Sequence, residues 1–447
     1  MDRIDALTEH FMSTLSEQDD DLSNFKQAVR DVASDVLAVE KNDPTWSANQ
    51  VLRRIAEPDR VISFRVTWAD DDGNVCINRG WRVQASNAIG PYKGGLRFHP
   101  GVSLDDLRFL AFEQCFKNAL TGLPLGGAKG GADFDPRGRS DAEIMRFCQA
   151  FMGKLAPYIG PDRDVPAGDI NVGPREIGYL FGAWMNAAGI YDGALTGKGL
   201  SYGGSEMRVE ATGYGLIYFV QAMLARRNAD ITGKRVAISG KGNVATHAAE
   251  KAVCEGATVV TLSDTSGTLY APDGLSQEAI RWVQEQKAAG KDLANPPKDF
   301  GAAFRENETP WQQSADIALP CATQNEIDED AAKSIVDAGT SLLAEGANMP
   351  TTPDALAVLR KAGVTYAPGK ASNAGGVAVS GLEMSQTSHR RFMTAEEVDA
   401  ALKDIMKQIH DRAADEGQSG GKIDYARGAN VAAYRKLAQA ITAQGVL

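Results

Sequence analysis

From residue 235 onward, short apolar runs alternate with helix-like stretches, and that alternation narrows the fold more than any other feature. Residues 235–239, 258–264, 316–319, 341–344 and 364–367 read as strands, and residues 245–255 between the first two read as a helix. This order predicts a parallel sheet with helices on both faces. Directly after the first strand stands Gly240-Lys241-Gly242-Asn243-Val244-Ala245, a GxGxxA sequence that opens the helix. The next strand ends in an acid, Asp264, about 20 residues on. Strand, glycine turn, helix and acid together form a dinucleotide fingerprint. Glycine lets backbone approach a pyrophosphate closely, and the helix N-terminus offers N–H groups to it. Gly240, Gly242, Asn243, Val244 and Asp264 are therefore the expected cofactor contacts. An acid at Asp264 ordinarily takes a ribose 2′-OH and indicates NAD, whereas Lys241, Lys287 and Lys291 offer charge to a 2′-phosphate. Sequence order leaves both open.

At 447 residues the chain exceeds one ordinary core, so two domains are expected. Residues 1–56 read as amphipathic helix through Phe25, Val29, Val32, Val36 and Leu37. Strand candidates at 61–68, 75–78 and 81–84 flank a turn at 70–74. Ser103 and Ser140 each stand where an N-cap belongs, before helices carrying Leu107, Leu110, Phe112 and Phe116, and Ile144, Phe147 and Phe151. The glycine-rich passage 196–204 reads as the crossing between domains and as a hinge. The fold class is thus α/β with two domains. Residues 1–203, joined by a C-terminal helix at 425–447, form the first, with a mixed sheet. Residues 204–424 form a Rossmann-like, doubly wound dinucleotide-binding domain.

The net charge of −11 argues against nucleic acid, since no basic block offsets it. The five cysteines are scattered without a CxxC pair and read as reduced, buried thiols of a cytoplasmic protein. The five histidines show no metal-binding spacing, so no metal is expected. Residues 1–21 are acidic and lack the apolar segment of a signal peptide. No apolar run is long enough to span a membrane.

An acidic protein that binds an anion must concentrate positive charge locally. Lys93 lies in Gly90-Pro91-Tyr92-Lys93-Gly94-Gly95, and Lys129 in Gly126-Gly127-Ala128-Lys129-Gly130-Gly131. Lys117 follows Gln114 by one helical turn, so the two share a face. Any one of these lysines alone would pass for a solvated surface residue. Together, with glycine-flanked loops, they suggest a pocket for a small dicarboxylate. Two like charges about 6 Å apart repel by roughly 3 kcal/mol at an effective dielectric of about 20. That is about 2 pKa units, enough to bring a lysine toward general-base range. Asp169, after the apparent turn Pro166-Ala167-Gly168, is the second reactive candidate, although a turn or capping aspartate would look the same.

Taken together, these segments resemble the hexameric glutamate dehydrogenases of the small-subunit type. The resemblance rests on Pro91 to Pro100, the Lys129 segment, Asp164 to Asp169, Glu210 to Gly215, Ala344 to Pro350 and Pro368 to Val377, and covers nearly the whole chain. It implies reversible oxidative deamination of L-glutamate to 2-oxoglutarate and ammonia. It assigns Lys93 and Ser380 to the side-chain carboxylate, and Lys117 and Gln114 to the α-carboxylate. Lys129 becomes the catalytic lysine that activates water, Asp169 handles protons at nitrogen, and the Gly168 backbone lies against substrate. Thr212, Asn243, Asn348 and Asn373 would contact the nicotinamide cofactor. Domain closure across the hinge would exclude bulk water. The first domain would also carry a homohexamer interface. The resemblance favours NADP over the simple acid rule, with NAD as the alternative.

The sequence departs from that pattern at Ala128, Asn171 and Pro174, and Lys241 replaces a usual serine. Ala128 is expected to stiffen the catalytic loop, and Lys241 to add charge beside the cofactor phosphates. Two rival readings are a branched-chain or aromatic amino-acid dehydrogenase, and a catalytically silent nucleotide sensor. Lys93 with Ser380 argues against the first. Lys129 with Asp169 argues against the second.

Overall fold

The computed structural model describes residues 3–15 and 23–446, so parts of residues 1–21 read above lie outside the described residues. The chain divides into two compact units. One comprises residues 1–208, 379–398 and 430–447, and the other residues 209–378 and 399–429. The second half of the helix around Ser380 thus belongs to the first unit.

The first unit opens with helices α1 (Arg3–Ser13), α2 (Ser23–Asn42), α3 (Pro44–Ala48) and α4 (Val51–Ala56). α2 buries Phe25, Ala28, Val29, Val32, Ala33 and Val36, a stripe at helical spacing. Then come β1 (Arg60–Ala69), β2 (Val75–Ser86), β3 (Tyr92–Phe98), α5 (Leu104–Thr121), β4 (Gly127–Ala132), α6 (Asp141–Leu155), β5 (Asp164–Gly168) and α7 (Pro174–Ala188). Both predicted serine caps are present: Ser103 and Ser140 each close a capping box, with Asp106 and Glu143. The strands form one mixed sheet in the order β1-β2-β4-β3-β5, with β3 parallel to both β4 and β5. Leu96 and Phe98 of β3 face an aromatic cluster in which Phe134 stacks on Phe147 at 3.7 Å and Phe98 meets Phe147 edge-on at 5.1 Å.

Three segments expected as glycine-rich loops or turns are strands. Lys93 lies in β3, Lys129 in β4, and the supposed turn before Asp169 is β5. Glycine lowers strand propensity, but here it permits backbones and side chains to crowd together, and burial overrides propensity. Pro166 is tolerated because β5 is an edge strand. Ala128 consequently sits in a fully buried strand, not in a loop it could stiffen.

The second unit contains α8 (Ala211–Ala225), β6 (Arg235–Ile238), α9 (Asn243–Cys254), β7 (Thr258–Asp264), β8 (Gly267–Tyr270), α10 (Gln277–Ala288), β9 (Ala303–Glu306) and β10 (Ile317–Leu319). It continues with α11 (Glu329–Asp337), β11 (Leu342–Ala344), α12 (Pro353–Ala362), β12 (Thr365–Ala367) and α13 (Gly369–Ser372). α14 (Gly375–His389) and α15 (Ala395–Gly417) cross the division between units, as does α16 (Tyr425–Gln444), which follows the small hairpin of β13 (Gln418–Ser419) and β14 (Lys422–Ile423). The sheet order is β12-β11-β10-β6-β7-β8-β9. β12 through β7 are parallel, as the alternation predicts. β8 and β9 add an antiparallel edge that periodicity did not reveal.

None of the cysteines is in a disulfide: Cys115, Cys148 and Cys321 are buried, Cys76 is half-buried, and Cys254 is exposed, contrary to the expectation of uniformly buried thiols. Among the described residues no group of His, Cys, Asp and Glu could hold a metal ion, and no helix is long and apolar enough to cross a membrane.

Candidate active site

Strand register assembles the reactive pair. Leu96 of β3 is level with Gly130 on one side and Gly168 on the other, so Lys129 of β4 and Asp169, which directly follows β5, stand to either side of Gly95. Lys129 Nζ lies 3.1 Å from Asp169 Oδ1. A Cβ on Gly95 would stand 2.8 Å from Asp169 Cβ and 3.0 Å from the Gly168 carbonyl oxygen, so only glycine fits. Because side chains alternate along a strand, Lys93, Gly95 and Arg97 share this face. Arg97 Nε donates to Asp169 Oδ2 at 2.8 Å. The opposite face holds Arg82, paired with Asp164 where both are fully buried. Gln84 Nε2 adds a hydrogen bond to Asp164 Oδ2 at 2.9 Å, and Arg82 Nη1 donates to the Gly94 carbonyl at 3.1 Å. This buried network fixes the strands beneath the site.

Lys129 is only 4% exposed. Burial lowers its pKa, Asp169 opposes that shift, and the Arg97 charge adds to it. The expected direction is present, but its leading cause is desolvation, with arginines as the like charges. Burial alone would raise Asp169, yet Lys129 and Arg97 hold it well below the usual carboxylate range.

Lys93 is 1% exposed, and burial first, then the Arg208 charge, lowers its pKa to about 7. Among the described residues no carboxylate forms an ion pair with its ammonium. Arg208 Nε donates to Ser380 Oγ at 3.1 Å, and Ser380 is fully buried on α14. Glu383, one turn along α14, is committed elsewhere: Lys198 Nζ lies 2.7 Å from its Oε1, with both side chains fully buried. Lys93, Arg208 and Ser380 therefore make a local cationic pocket whose nearby acid is already neutralised.

Gln114 and Lys117 are half-buried on α5. That helix is tied to β3 through Asn118 Nδ2, which donates to the Lys93 carbonyl at 3.1 Å. Gln114 Nε2 in turn donates to Asn118 Oδ1 at 2.7 Å.

In the second unit Gly240 follows β6 with φ +89°, and Gly242 is the N-cap of α9, where no side chain caps the helix. A Cβ on Gly242 would meet nothing within 4 Å, leaving the first turn of α9 open to a phosphate. Asn243 is exposed there, with Val244 beside it half-exposed, and Thr212 is half-buried in the first turn of α8. Asn373 is buried, its Nδ2 donating to the Ala347 carbonyl and to Asn348 Oδ1, both at 3.0 Å. Its Oδ1 accepts no hydrogen bond among the described residues. A buried acceptor without a donor, together with an uncapped helix at a glycine turn, fits a dinucleotide with a carboxamide at one end. Asp264 is not open: it binds Lys241 at 2.8 Å, Ser266 N at 2.9 Å and Leu293 N at 3.0 Å.

Sequence reasoning assigned no role to Arg97 or Arg208. Arg97 was within reach, since alternation from Lys93 places it on the same face once residues 92–98 are read as a strand. Arg208 had no periodic signal at all.

Residues 203–445 match the family described as glutamate/leucine/phenylalanine/valine dehydrogenase, and residues 58–186 match the dimerisation domain of the same family. An NADP-specific glutamate dehydrogenase of Psychrobacter sp. (strain TAD1) is 54% identical over 428 residues, 95% of this chain and 96% of the relative. An NAD-specific glutamate dehydrogenase of Bacteroides fragilis is 50% identical over 442 residues, covering 98% and 99%. A solved glutamate dehydrogenase structure superimposes with a TM-score of 0.95 at 47% identity, covering 99% of each chain.

Proposed function

The chain belongs to the glutamate/leucine/phenylalanine/valine dehydrogenase family, and from that premise we propose how its own residues carry out the chemistry. The reaction is the reversible oxidative deamination of L-glutamate to 2-oxoglutarate and ammonia, with NADP as cofactor and NAD as the alternative. One observation carries the choice of a dicarboxylate: Lys93, 1% exposed, has no carboxylate partner among the described residues and feels the charge of Arg208. Lys93 is buried and Arg208 half-buried beside it, and the one acid that acts on both, Glu383, is paired with Lys198, so the two cations call for an anionic ligand.

Lys93, Arg208 and Ser380 hold the side-chain carboxylate, and Lys117 with Gln114 holds the α-carboxylate. Gly168 offers its carbonyl to the substrate amino group. Asp169, whose carboxylate is held by Arg97, accepts a proton from that nitrogen. A nicotinamide cofactor, when bound, would supply the acceptor for the Cα hydride. Lys129, in the neutral form that its burial favours, then removes a proton from the water that attacks the substrate iminium, and Asp169 returns a proton to the departing amine. Thr212, Gly240, Gly242, Asn243, Val244, Asn348 and Asn373 would hold the cofactor, and Asn373 Oδ1 is the buried acceptor that its carboxamide would meet.

Assembly as a homohexamer, a cytoplasmic location and a role in ammonia assimilation belong to the same proposal. Val75 and Ile77 on β2 are about 70% exposed beside the edge strand β1, which supports burial of this surface between subunits. Light scattering on the purified protein reads the subunit number.

The deciding assay follows reduced-nicotinamide absorbance with 2-oxoglutarate and ammonia, with the 2-oxo acid of leucine in parallel. Turnover of the dicarboxylate alone supports the proposal. Preference for the leucine analogue, or no turnover by folded protein, overturns it.

A further inference from the structure

Asp264 ends β7, where a dinucleotide fold places the acid that accepts a hydrogen bond from the adenosine ribose. An ionised carboxylate offers about four acceptor positions. Here Oδ1 accepts from Ser266 N at 2.9 Å and Ser266 Oγ at 2.6 Å, while Oδ2 accepts from Lys241 Nζ at 2.8 Å and Leu293 N at 3.0 Å. The carboxylate is filled and its side chain is 4% exposed. A second acceptor, the Lys291 carbonyl at 2.7 Å, holds Lys241 in place. An ammonium has three N–H donors, so these two bonds leave one directed elsewhere. Lys287 and Lys291, the other basic candidates, are exposed, and neither is paired with Asp264.

We propose that Lys241 is the cofactor-specificity determinant of this chain: by covering Asp264 it denies a free ribose 2′-OH its acceptor, and it presents its remaining N–H and positive charge to a 2′-phosphate. The GxGxxA turn supplies the placement, since Lys241 lies between the two glycines that bring backbone to the cofactor. Covering the acid cancels the charge that would repel a phosphate, so an aspartate at this position is compatible with NADP. This inference rests on the dinucleotide reading of the second unit but not on the identity of the amino-acid substrate.

The test is a fluorescence titration of the full-length protein with NADPH and with NADH, without amino acid or 2-oxo acid. Lys241→Ser should weaken NADPH binding by about 10-fold or more, the scale of one charge-assisted bond. NADH binding should hold or tighten, because Asp264 Oδ2 becomes available. Lys241→Arg keeps the charge and should retain the preference for NADPH. An unchanged NADPH-to-NADH affinity ratio in Lys241→Ser, or an equal collapse of the ratio in Lys241→Arg, overturns the inference. Turnover of 2-oxoglutarate by the unsubstituted protein is read separately. Turnover with an unaltered ratio removes only this inference, and a collapsed ratio without turnover removes only the glutamate reading.

Discussion

Lys129 Nζ and Asp169 Oδ1 are 3.1 Å apart, and they meet over a residue with no side chain, Gly95, on the strand between theirs. The pair is held from both ends. Arg97 fixes the other oxygen of Asp169, and burial lowers the Lys129 pKa from its ordinary value. A base and an acceptor are thus positioned before any ligand arrives, the arrangement that saves reorganisation during reaction.

Gly95→Ala should lower kcat without unfolding the protein. The added methyl would stand 2.8 Å from Asp169 Cβ and 3.4 Å from Lys129 Nζ, so the pair must separate. A displacement of about 1 Å at a reacting group is worth roughly 100-fold in rate. Steady-state kinetics with a circular-dichroism melt checks it; a fully active variant would mean the pair is not where the chemistry occurs.

Asp169→Asn should cut kcat by about 100- to 10,000-fold, the range for loss of a general acid–base group. It also removes the anion that raises the Lys129 pKa. The remaining activity should therefore keep its Lys129-dependent acid limb at lower pH than in the unsubstituted enzyme. A pH profile of kcat for glutamate oxidation reads both effects.

Lys93→Met should stabilise the protein while impairing substrate binding. Burial lowers the Lys93 pKa to about 7, whereas the unfolded chain holds this proton to about 10.4. Between those values the unfolded state binds more protons, so the unsubstituted enzyme gains stability as pH rises, and below about 7 it bears the full penalty of a buried charge. The Tm advantage of Lys93→Met should be largest near pH 6 and shrink toward pH 10. At the same time kcat/KM for 2-oxoglutarate should fall by about 10- to 100-fold or more. Calorimetric melts across pH, beside initial rates, separate the two.

Glu383→Gln should destabilise the first unit by about 3–5 kcal/mol, because Lys198 would stay buried without its partner. Glu383 also accepts from Gly197 N at 2.9 Å, so it ties α14, the helix bearing Ser380, to the 195–198 segment. Urea denaturation checks it: a midpoint unchanged from that of the unsubstituted protein would show the pair to be energetically neutral.

Several of these features were legible without coordinates. The GxGxxA turn with Asp264, the serine caps of α5 and α6, and the parallel strands of the second unit follow from local spacing, which backbone geometry converts directly into structure. Lys93, Lys129 and Asp169 stood out as chemistry-bearing residues among glycines. What misled was the glycine itself. Its low strand propensity suggested loops at β3, β4 and β5, whereas close strand packing is what the missing side chains allow.

Sequence by itself determined the class of fold, the dinucleotide turn and the identities of the reactive side chains, because those depend on residues near one another in the chain. The tertiary structure decided which of them meet. Strand order and register bring Lys129 to Asp169, and chain reversal places Arg208 on Ser380, 172 residues away. It also decided which way their pKa values move, since burial and neighbouring cations lower Lys93 and Lys129, and Lys129 and Arg97 hold Asp169 down. Desolvation and Coulomb interaction depend on distances in space, and spacing along the chain does not encode those.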